Sequence, residues 1–381
     1  MEENKKVSVL LVGVGGYGGT YIDLILKHSD RVRLVGGVET GEIPQETIDR
    51  LSEHKPRFYK SMEDFYAENT ADLCIICTPI HLHKEHTLCA LTHGSNVLCE
   101  KPVAGCVSDA EDMINTKTDK FVAIGFQHCF ADYILNLKKD ILSGVWGKPL
   151  LAKSINFFPR PKWYFDTRNK WAGRVKAPDG RQVNDSILNN ACAHPMQAML
   201  FLLGDKTDTA VMPKSVDVQL YAANNIETFD AVALKLETEA DVPVFYYASH
   251  CVEKNRGFEF EIVFENGTVR YSDNDESCRG VFNNGEVKDY GWYKPHEERF
   301  LKCIRAAAGE KDLITCNLKT ALPHAITVEM VMKHLDEKYV FAENQLSTHQ
   351  RNTSDYIYVP GMLDAFEKAY EQNELPDKNI W

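Results

Sequence analysis

The stretch NVLCEKPVAG, residues 96–105, ends a short apolar run on Glu100, Lys101 and Pro102 in succession. A carboxylate and an ammonium bring acid–base chemistry to the end of a strand built for burial, and the proline stops its ladder. A second group stands in NNACAHPMQ, where offsets of four and three put Asn190, His194 and Gln197 on one face of any helix running through them. Pro195 is comfortable only in a helix's first turn, so a helix over PMQAMLFLLG leaves Asn190 on its approach. Histidine titrates near the useful range, at about 6.5, and an amide oxygen can fix its tautomer. Lysine, at about 10.4, becomes a base only where burial or a nearby positive charge disfavours its ammonium.

The first third supplies elements to position the earlier group. An apolar β-rich run leads into Gly13-x-Gly15-x-x-Gly18, with Gly16 and Tyr17 inside the turn, and then into a helical pattern of Tyr21, Leu24, Ile25 and His28. Glycines there serve a tight turn, a close approach of backbone to a pyrophosphate and helix-on-strand packing. Glu39 ends the next strand, 21 positions after Gly18, at the spacing of an acid that accepts ribose hydroxyls. Such a carboxylate repels the 2′-phosphate of NADP, so NAD is the expected cofactor. ADLCIICTP, SNVLCE and KFVAIGF continue as strands alternating with helices, one of them opening on Ser108 and Glu111 at capping-box spacing. The fold class is therefore α/β, an N-terminal Rossmann doubly wound parallel sheet, whose ligands lie at the strands' carboxyl ends.

From Ser215 the pattern turns to strands with hairpin signals at Asn266-Gly267 and Asn284-Gly285, then back to helices in PHEERFLKCIRAAAG and LKTALPHAITVEMVMKHL. This implies a C-terminal α+β domain with a mainly antiparallel open sheet, one face on helices and the other free. The expected division is residues 1–126 for NAD binding and 127–381 for substrate binding and oligomerisation. The tail YIYVPGMLDAFEKAYEQNELPDKNIW carries an amphipathic helix and a terminal tryptophan. Between the two groups lies a segment interleaving Phe157, Phe158, Trp163, Tyr164, Phe165 and Trp171 with Arg160, Arg168 and Arg174. Aromatic faces and forked donors suit a sugar; the same composition suits a subunit contact.

A length of 381 residues favours two domains, and a formal charge of −12 argues against a nucleic-acid partner. No run of about 18 apolar residues appears, so no membrane partner is expected. MEENKKVSVL lacks the apolar core of a signal peptide, and several of the eleven cysteines sit in apolar runs, so a cytoplasmic protein with reduced thiols is expected. The C-x-x-C of Cys74 and Cys77 points its side chains to opposite faces of a strand. The cluster His81, His83 and His86 lacks matching acid or thiol ligands at zinc spacing, so no metal is expected.

VGVGGYGG, CTPIHLHKEHTLCALTHGSNVLCEKPV, IGFQHCF, WGKPLLAKSINFF and NNACAHPMQAMLFLLG together resemble the Gfo/Idh/MocA oxidoreductases, the family of glucose–fructose oxidoreductase and inositol dehydrogenase. The resemblance covers roughly residues 7–204. It implies that Lys101 touches substrate and the nicotinamide ribose, that the Lys101–Pro102 bond is cis, that Glu100 is near the cofactor, and that Thr78, Pro79 and His83 line the dinucleotide groove. It also implies Gln127 at the cofactor and His128 at a substrate that Trp163, Tyr164, Arg168, Trp171, Asn190 and His194 help to bind. The family usually carries D-x-x-x-H and a further acid where this chain has Asn190, His194 and Gln197, so both acids are replaced by amides. The catalytic set is then Lys101, His194 and Asn190, with His194 exchanging the proton and Lys101 steadying the reacting oxygen; the reverse assignment stays open. The implied activity is NAD-dependent oxidation or reduction of a ring secondary hydroxyl of a sugar, glycoside or cyclitol, with C3 of a glycoside as a refinement. The alternatives are a glycosidase or lyase using transient oxidation and elimination, and a non-catalytic NAD-dependent sensor. A homodimer or homotetramer through the C-terminal sheet is implied as well.

Overall fold

In the computed structural model, which describes residues 6–165, 171–293 and 295–381, the apolar runs of the first third become a six-stranded parallel sheet. Its strands are β1 (Val7–Val12), β2 (Val32–Val38), β3 (Arg57–Tyr59), β4 (Leu73–Ile76), β5 (Asn96–Cys99) and β6 (Val122–Ile124). They lie in the order β3-β2-β1-β4-β5-β6, the doubly wound order, with the direction of winding reversing between β1 and β4. All residues of β4 and β6 are buried, as in a parallel sheet covered on both faces. The helix Val107–Ile114 begins one residue before Ser108, which therefore stands inside its first turn and not at the expected cap.

The second sheet has nine strands: β7 (Pro149–Phe157), β8 (Pro213–Ala222), β9 (Ala231–Thr238), β10 (Val244–Ser249), β11 (Gly257–Phe264), β12 (Gly267–Ser272), β13 (Ser277–Phe282), β14 (Val287–Asp289) and β15 (Tyr339–Val340). Their order is β14-β13-β12-β11-β7-β10-β9-β8-β15, antiparallel except where β7 meets β10 and β8 meets β15. A further hairpin joins β16 (Ser347–Arg351) to β17 (Ser354–Tyr358). The first hairpin signal is displaced by one residue: Gly267 pairs with Phe264, and the loop is Glu265–Asn266. The reason is steric, since a Cβ at Gly267 would stand 2.3 Å from the Val281 carbonyl oxygen of the neighbouring strand.

Compactness divides the chain into Met1–Ala104, Ser108–Ala131 and Lys294–Ala321 as one unit, and Gly105–Val107, Asp132–Tyr293 and Leu322–Trp381 as the other. This differs from a single cut at residue 126. The helix His296–Ala307 rejoins the first unit because its buried cations find their partners there: Arg299 pairs with Glu100, and Lys302 Nζ donates to the Phe130 carbonyl at 2.5 Å. Residues near 316 also extend the parallel sheet's edge, where Ile124 N–H donates to Cys316 O at 2.9 Å.

The sheet face expected to be free is instead covered over its central strands by the chain's own tail. The helix Met362–Gln372 turns Met362, Phe366, Ala369 and Tyr370 onto Ile155, Phe157, Tyr221 and Tyr247. Tyr247 Oη donates to Glu374 O at 2.6 Å, Gln219 Nε2 to Pro376 O at 3.0 Å and Lys153 Nζ to Tyr370 O at 3.1 Å, so the tail is held by its backbone as well as by its apolar stripe. Amphipathicity is satisfied within the chain, which is why the tail is ordered. Among the described residues no helix is long and apolar enough to cross a membrane.

Phe366 is fully buried in that contact. Truncating it to alanine is expected to lower the unfolding free energy by roughly 3–5 kcal/mol, measured as a shift of the urea transition at unchanged slope.

Candidate active site

In the first unit the glycine loop is shaped by contacts that exclude side chains. Gly13 adopts φ +84°, and a Cβ there would stand 2.9 Å from the carbonyl carbon and oxygen of Cys77. At Gly18 a Cβ would meet the Gly13 carbonyl oxygen at 2.1 Å, so β1 and the helix Gly18–Lys27 close on one another only through glycine. Gly15, Gly16 and Tyr17 form the exposed crest. Glu39 reaches the loop from the end of β2, its Oε2 accepting the backbone N–H groups of Val14 and Gly15, both at 3.1 Å. Loop, helix N-terminus and carboxylate thus stand together as a dinucleotide requires, with amides for the diphosphate and an acid for a ribose hydroxyl.

The end of β4 is tied to the end of β5 by one imidazole. His83 is buried, with Nδ1 2.8 Å from Pro102 O and Nε2 3.0 Å from Thr78 O. Burial pulls its pKa down against the opposing pull of the two carbonyls, and a neutral ring donates one of these bonds. His86 Nδ1 lies 2.9 Å from Thr78 Oγ1, so two of the three clustered histidines brace the turn that carries Thr78 and Pro79. The Lys101–Pro102 bond is cis.

Glu100, expected near the cofactor, has its carboxylate held inside this unit. Its carboxylate is buried, accepting Tyr21 Oη–H at 2.8 Å and pairing with Arg299 Nη2 at 2.9 Å. Its Oε2 also accepts the Lys101 backbone N–H at 3.1 Å. Arg299 has no exposed surface; its guanidinium lies 5.4 Å from the Tyr21 ring centre and donates to Gly125 O. A Cβ at Gly125 would come within 2.9 Å of Glu100 Oε2, Arg299 Nη1 and the Lys101 nitrogen, so only glycine fits beside the pair. Gln127 and His128 follow in the turn Gln127–Phe130, His128 buried and Gln127 half-buried. The carboxyl ends of β1, β2, β4, β5 and β6 therefore carry every expected residue of this unit.

In the second unit the helix begins at Ala193, placing His194 in its first turn and Asn190 on the approach. Asn190 Nδ2 donates to Tyr164 Oη at 3.1 Å and to Asp185 Oδ1 at 2.9 Å. Asp185 is buried, and its Oδ2 accepts Gly173 N–H at 2.7 Å. Gln197 is fully buried. Trp163 stays 41 % exposed, its Nε1 donating to Ser354 Oγ at 3.1 Å, so it leans on the β16–β17 hairpin. Trp171 is half-buried in a turn closed by Arg174 N–H to Trp171 O, and Arg168 lies outside the described residues.

Arg299, Gly125 and Asp185 escaped the sequence reading, which saw Tyr21 only as part of a helical pattern and not as a partner of Glu100. For Arg299 a signal existed: it shares a helix face with the buried Phe300, Cys303 and Ile304, where a cation must be paired. For Asp185 there was none, because its contact with Asn190 comes from an irregular turn.

Comparison with known proteins agrees with this geometry. Residues 7–128 match the model described as an oxidoreductase family with an NAD-binding Rossmann fold, and residues 134–270 match that of the GFO/IDH/MocA C-terminal domain. A 2,7-anhydro-N-acetylneuraminate hydratase of Mediterraneibacter gnavus is 27% identical over 55% of this chain and 52% of its own length. A D-glucoside 3-dehydrogenase of Escherichia coli is 34% identical over 35% of this chain and 36% of its own. The chain thus spans about half or less of the length of these curated relatives. The crystal structure of the WlbA dehydrogenase from Bordetella pertussis, in complex with NADH and UDP-GlcNAcA, shares the fold at a TM-score of 0.69 and 20% identity, over 87% of this chain and 97% of that one.

Two outcomes test the electrostatics. Arg299→Met is expected to destabilise by roughly 3–5 kcal/mol, since it strands the Glu100 charge, whereas combining it with Glu100→Gln recovers much of the loss in a double-mutant cycle of urea unfolding. His250, buried beside Arg160 with Nδ1 2.6 Å from Phe158 O, has its pKa pushed down to about 3, first by burial and then by the arginine. Between about pH 3 and 6.5 the unfolded chain binds a proton there that the folded chain refuses. Stability contributed at this site therefore rises with pH across that window, by at most about 1.4 kcal/mol per unit, and is absent below it. His250→Gln is expected to flatten this slope in unfolding measured from pH 4 to 7.

Proposed function

Since the chain belongs to the GFO/IDH/MocA oxidoreductase family, we propose that it is an NAD-dependent oxidoreductase acting on a ring secondary hydroxyl or ketone of a sugar, glycoside or cyclitol. The observation that supports this most directly is the joint placement of the glycine loop, Glu39, the Thr78–Pro79 turn and the Glu100–Lys101–Pro102 turn at the carboxyl edge of one parallel sheet. Bound at this edge, NAD supplies a hydride acceptor. Glu39 would take the adenosine ribose hydroxyls and disfavour a 2′-phosphate by charge.

Alcohol oxidation also requires a group to receive the hydroxyl proton. We assign that exchange to His194 and the steadying of charge on the reacting oxygen to Lys101. Glu100, spent on Arg299 and Tyr21, acts as a positioning residue: it holds the Lys101 backbone and withholds its own charge from the reacting centre. Asn190 cannot accept a proton and serves to bind and orient. The name of one relative, a D-glucoside 3-dehydrogenase, favours C3 of a glycoside as the oxidised position. Another relative is named a hydratase, which favours as the second reading a lyase or glycosidase cycle whose oxidation is transient.

Purified protein with NAD, offered a panel of sugars, cyclitols and nitrophenyl glycosides, separates these readings. Nicotinamide absorbance rising without nitrophenol release fits the first; nitrophenol release without net nicotinamide reduction fits the second. Lys101→Met and His194→Ala are each expected to lower turnover by about 10²–10⁴-fold, and normal turnover in either variant would remove its assigned role.

A further inference from the structure

Resting on the reading of the second unit as the saccharide-binding part, we propose that it holds a carboxylate of an acidic sugar, received by Arg160 and the Tyr164 hydroxyl. The guanidinium of Arg160 lies 4.7 Å from the centre of the Tyr164 ring, a stacked placement that fixes the plane of its fork. The residue is half-buried, and its Nε is buried without a hydrogen-bond partner. No carboxylate pairs with it among the described residues. A lasting positive charge so placed calls for an anion.

Tyr164 adds a donor of fixed direction. Both hydrogens of the Asn190 amide nitrogen are committed, one to Tyr164 Oη and one to Asp185 Oδ1. That nitrogen has no lone pair to accept the phenol's proton, so the Tyr164 O–H must be donated elsewhere. Burial, and next the Asp185 charge, hold the phenol protonated. Arginine and tyrosine therefore present donors only. His250, whose carbonyl accepts the Arg160 backbone N–H at 3.4 Å, keeps its ring neutral and does not compete for an anion. Asp185, the nearby acid, already accepts Gly173 N–H with one oxygen and the Asn190 amide with the other. A neutral sugar hydroxyl would leave the guanidinium charge unanswered, whereas a planar carboxylate matches a planar fork and one further O–H.

The test is calorimetric titration of the full chain, with NADH present, using methyl uronides of the gluco, galacto and manno series against the matching neutral methyl glycosides. A uronide is expected to bind about ten- to hundredfold more tightly than its neutral counterpart, a preference that weakens with added salt. Arg160→Met is expected to abolish the preference, Arg160→Lys to keep part of it and Tyr164→Phe to reduce it. Equal affinities in the unaltered protein, or an Arg160→Met loss equal for uronide and glycoside, would overturn the proposal. So would dependence on Arg160 shown only by glucose 1-phosphate, which marks a phosphate site instead. Nicotinamide absorbance with the same panel keeps the two readings apart. Arg160-dependent uronide binding without redox turnover counts against the oxidoreductase alone, and turnover of neutral glycosides without uronide preference counts against the carboxylate site alone.

Discussion

A guanidinium with no access to water has to be neutralised where it stands, and in this chain Arg299 meets that demand with Glu100. Each charge would be untenable without the other, because stranding one ion of a buried pair costs several kcal/mol. The demand propagates outward. The carboxylate needs further donors and finds Tyr21 and the Lys101 backbone; the guanidinium needs an acceptor and finds the Gly125 carbonyl. Gly125 must then be glycine, and the chain near residue 299 must return to a sheet it left at residue 131. The turn bearing Lys101 is positioned by this pair on one side and by His83 on the other, so its backbone is braced at both ends.

The second unit solves a different problem, an antiparallel sheet with two faces to cover. Helix Ala193–Leu202 packs on one side, shown by Tyr246 Oη donating to Cys192 O, and the tail helix covers the central strands on the other. From the tail's margin outward the same face becomes a charged ladder: Lys153, bonded to Tyr370 O of the tail, pairs with Glu261, Glu261 with Arg270, and Arg279 with Asp289.

Most local signals were legible, though the Ser108 cap and the Asn266-Gly267 turn each fell one residue from their expected place. The glycine loop, the Glu39 spacing and the strand that runs into Glu100 depend on neighbours in sequence, and the structure places each accordingly; the helix expected from Pro195 starts two residues earlier, at Ala193, which still puts the proline in its first turn. What escaped depends on contacts far along the chain. Arg299 stands 199 positions from Glu100, the tail covers strands more than 100 residues earlier, and the domain cut at residue 126 ignored a segment that comes back. Glu100 shows the difference most sharply: its neighbours in sequence make it look poised for a ligand, yet its charge is consumed by a residue no motif announces. Asp185 is the converse case, an acid invisible to pattern because an irregular turn carries it to Asn190.

That turn also bears on the chemistry. An aspartate at position 190 would add a negative charge and a proton acceptor beside the imidazole's helix; Asn190 supplies neither. The charge has not vanished from the unit, for Asp185 holds it one hydrogen bond further back, behind an amide that relays orientation without accepting a proton. A carboxylate set back in this way still fixes which way the amide faces, and through it which way the Tyr164 hydroxyl is polarised. With the amide unable to act as a base, Tyr164 kept protonated and Asp185 occupied at both oxygens, these three side chains bind and orient, in keeping with the proton exchange we assign to His194. The amide at position 190 is itself no proton acceptor, and it spares an incoming anion the repulsion that an acid there would impose.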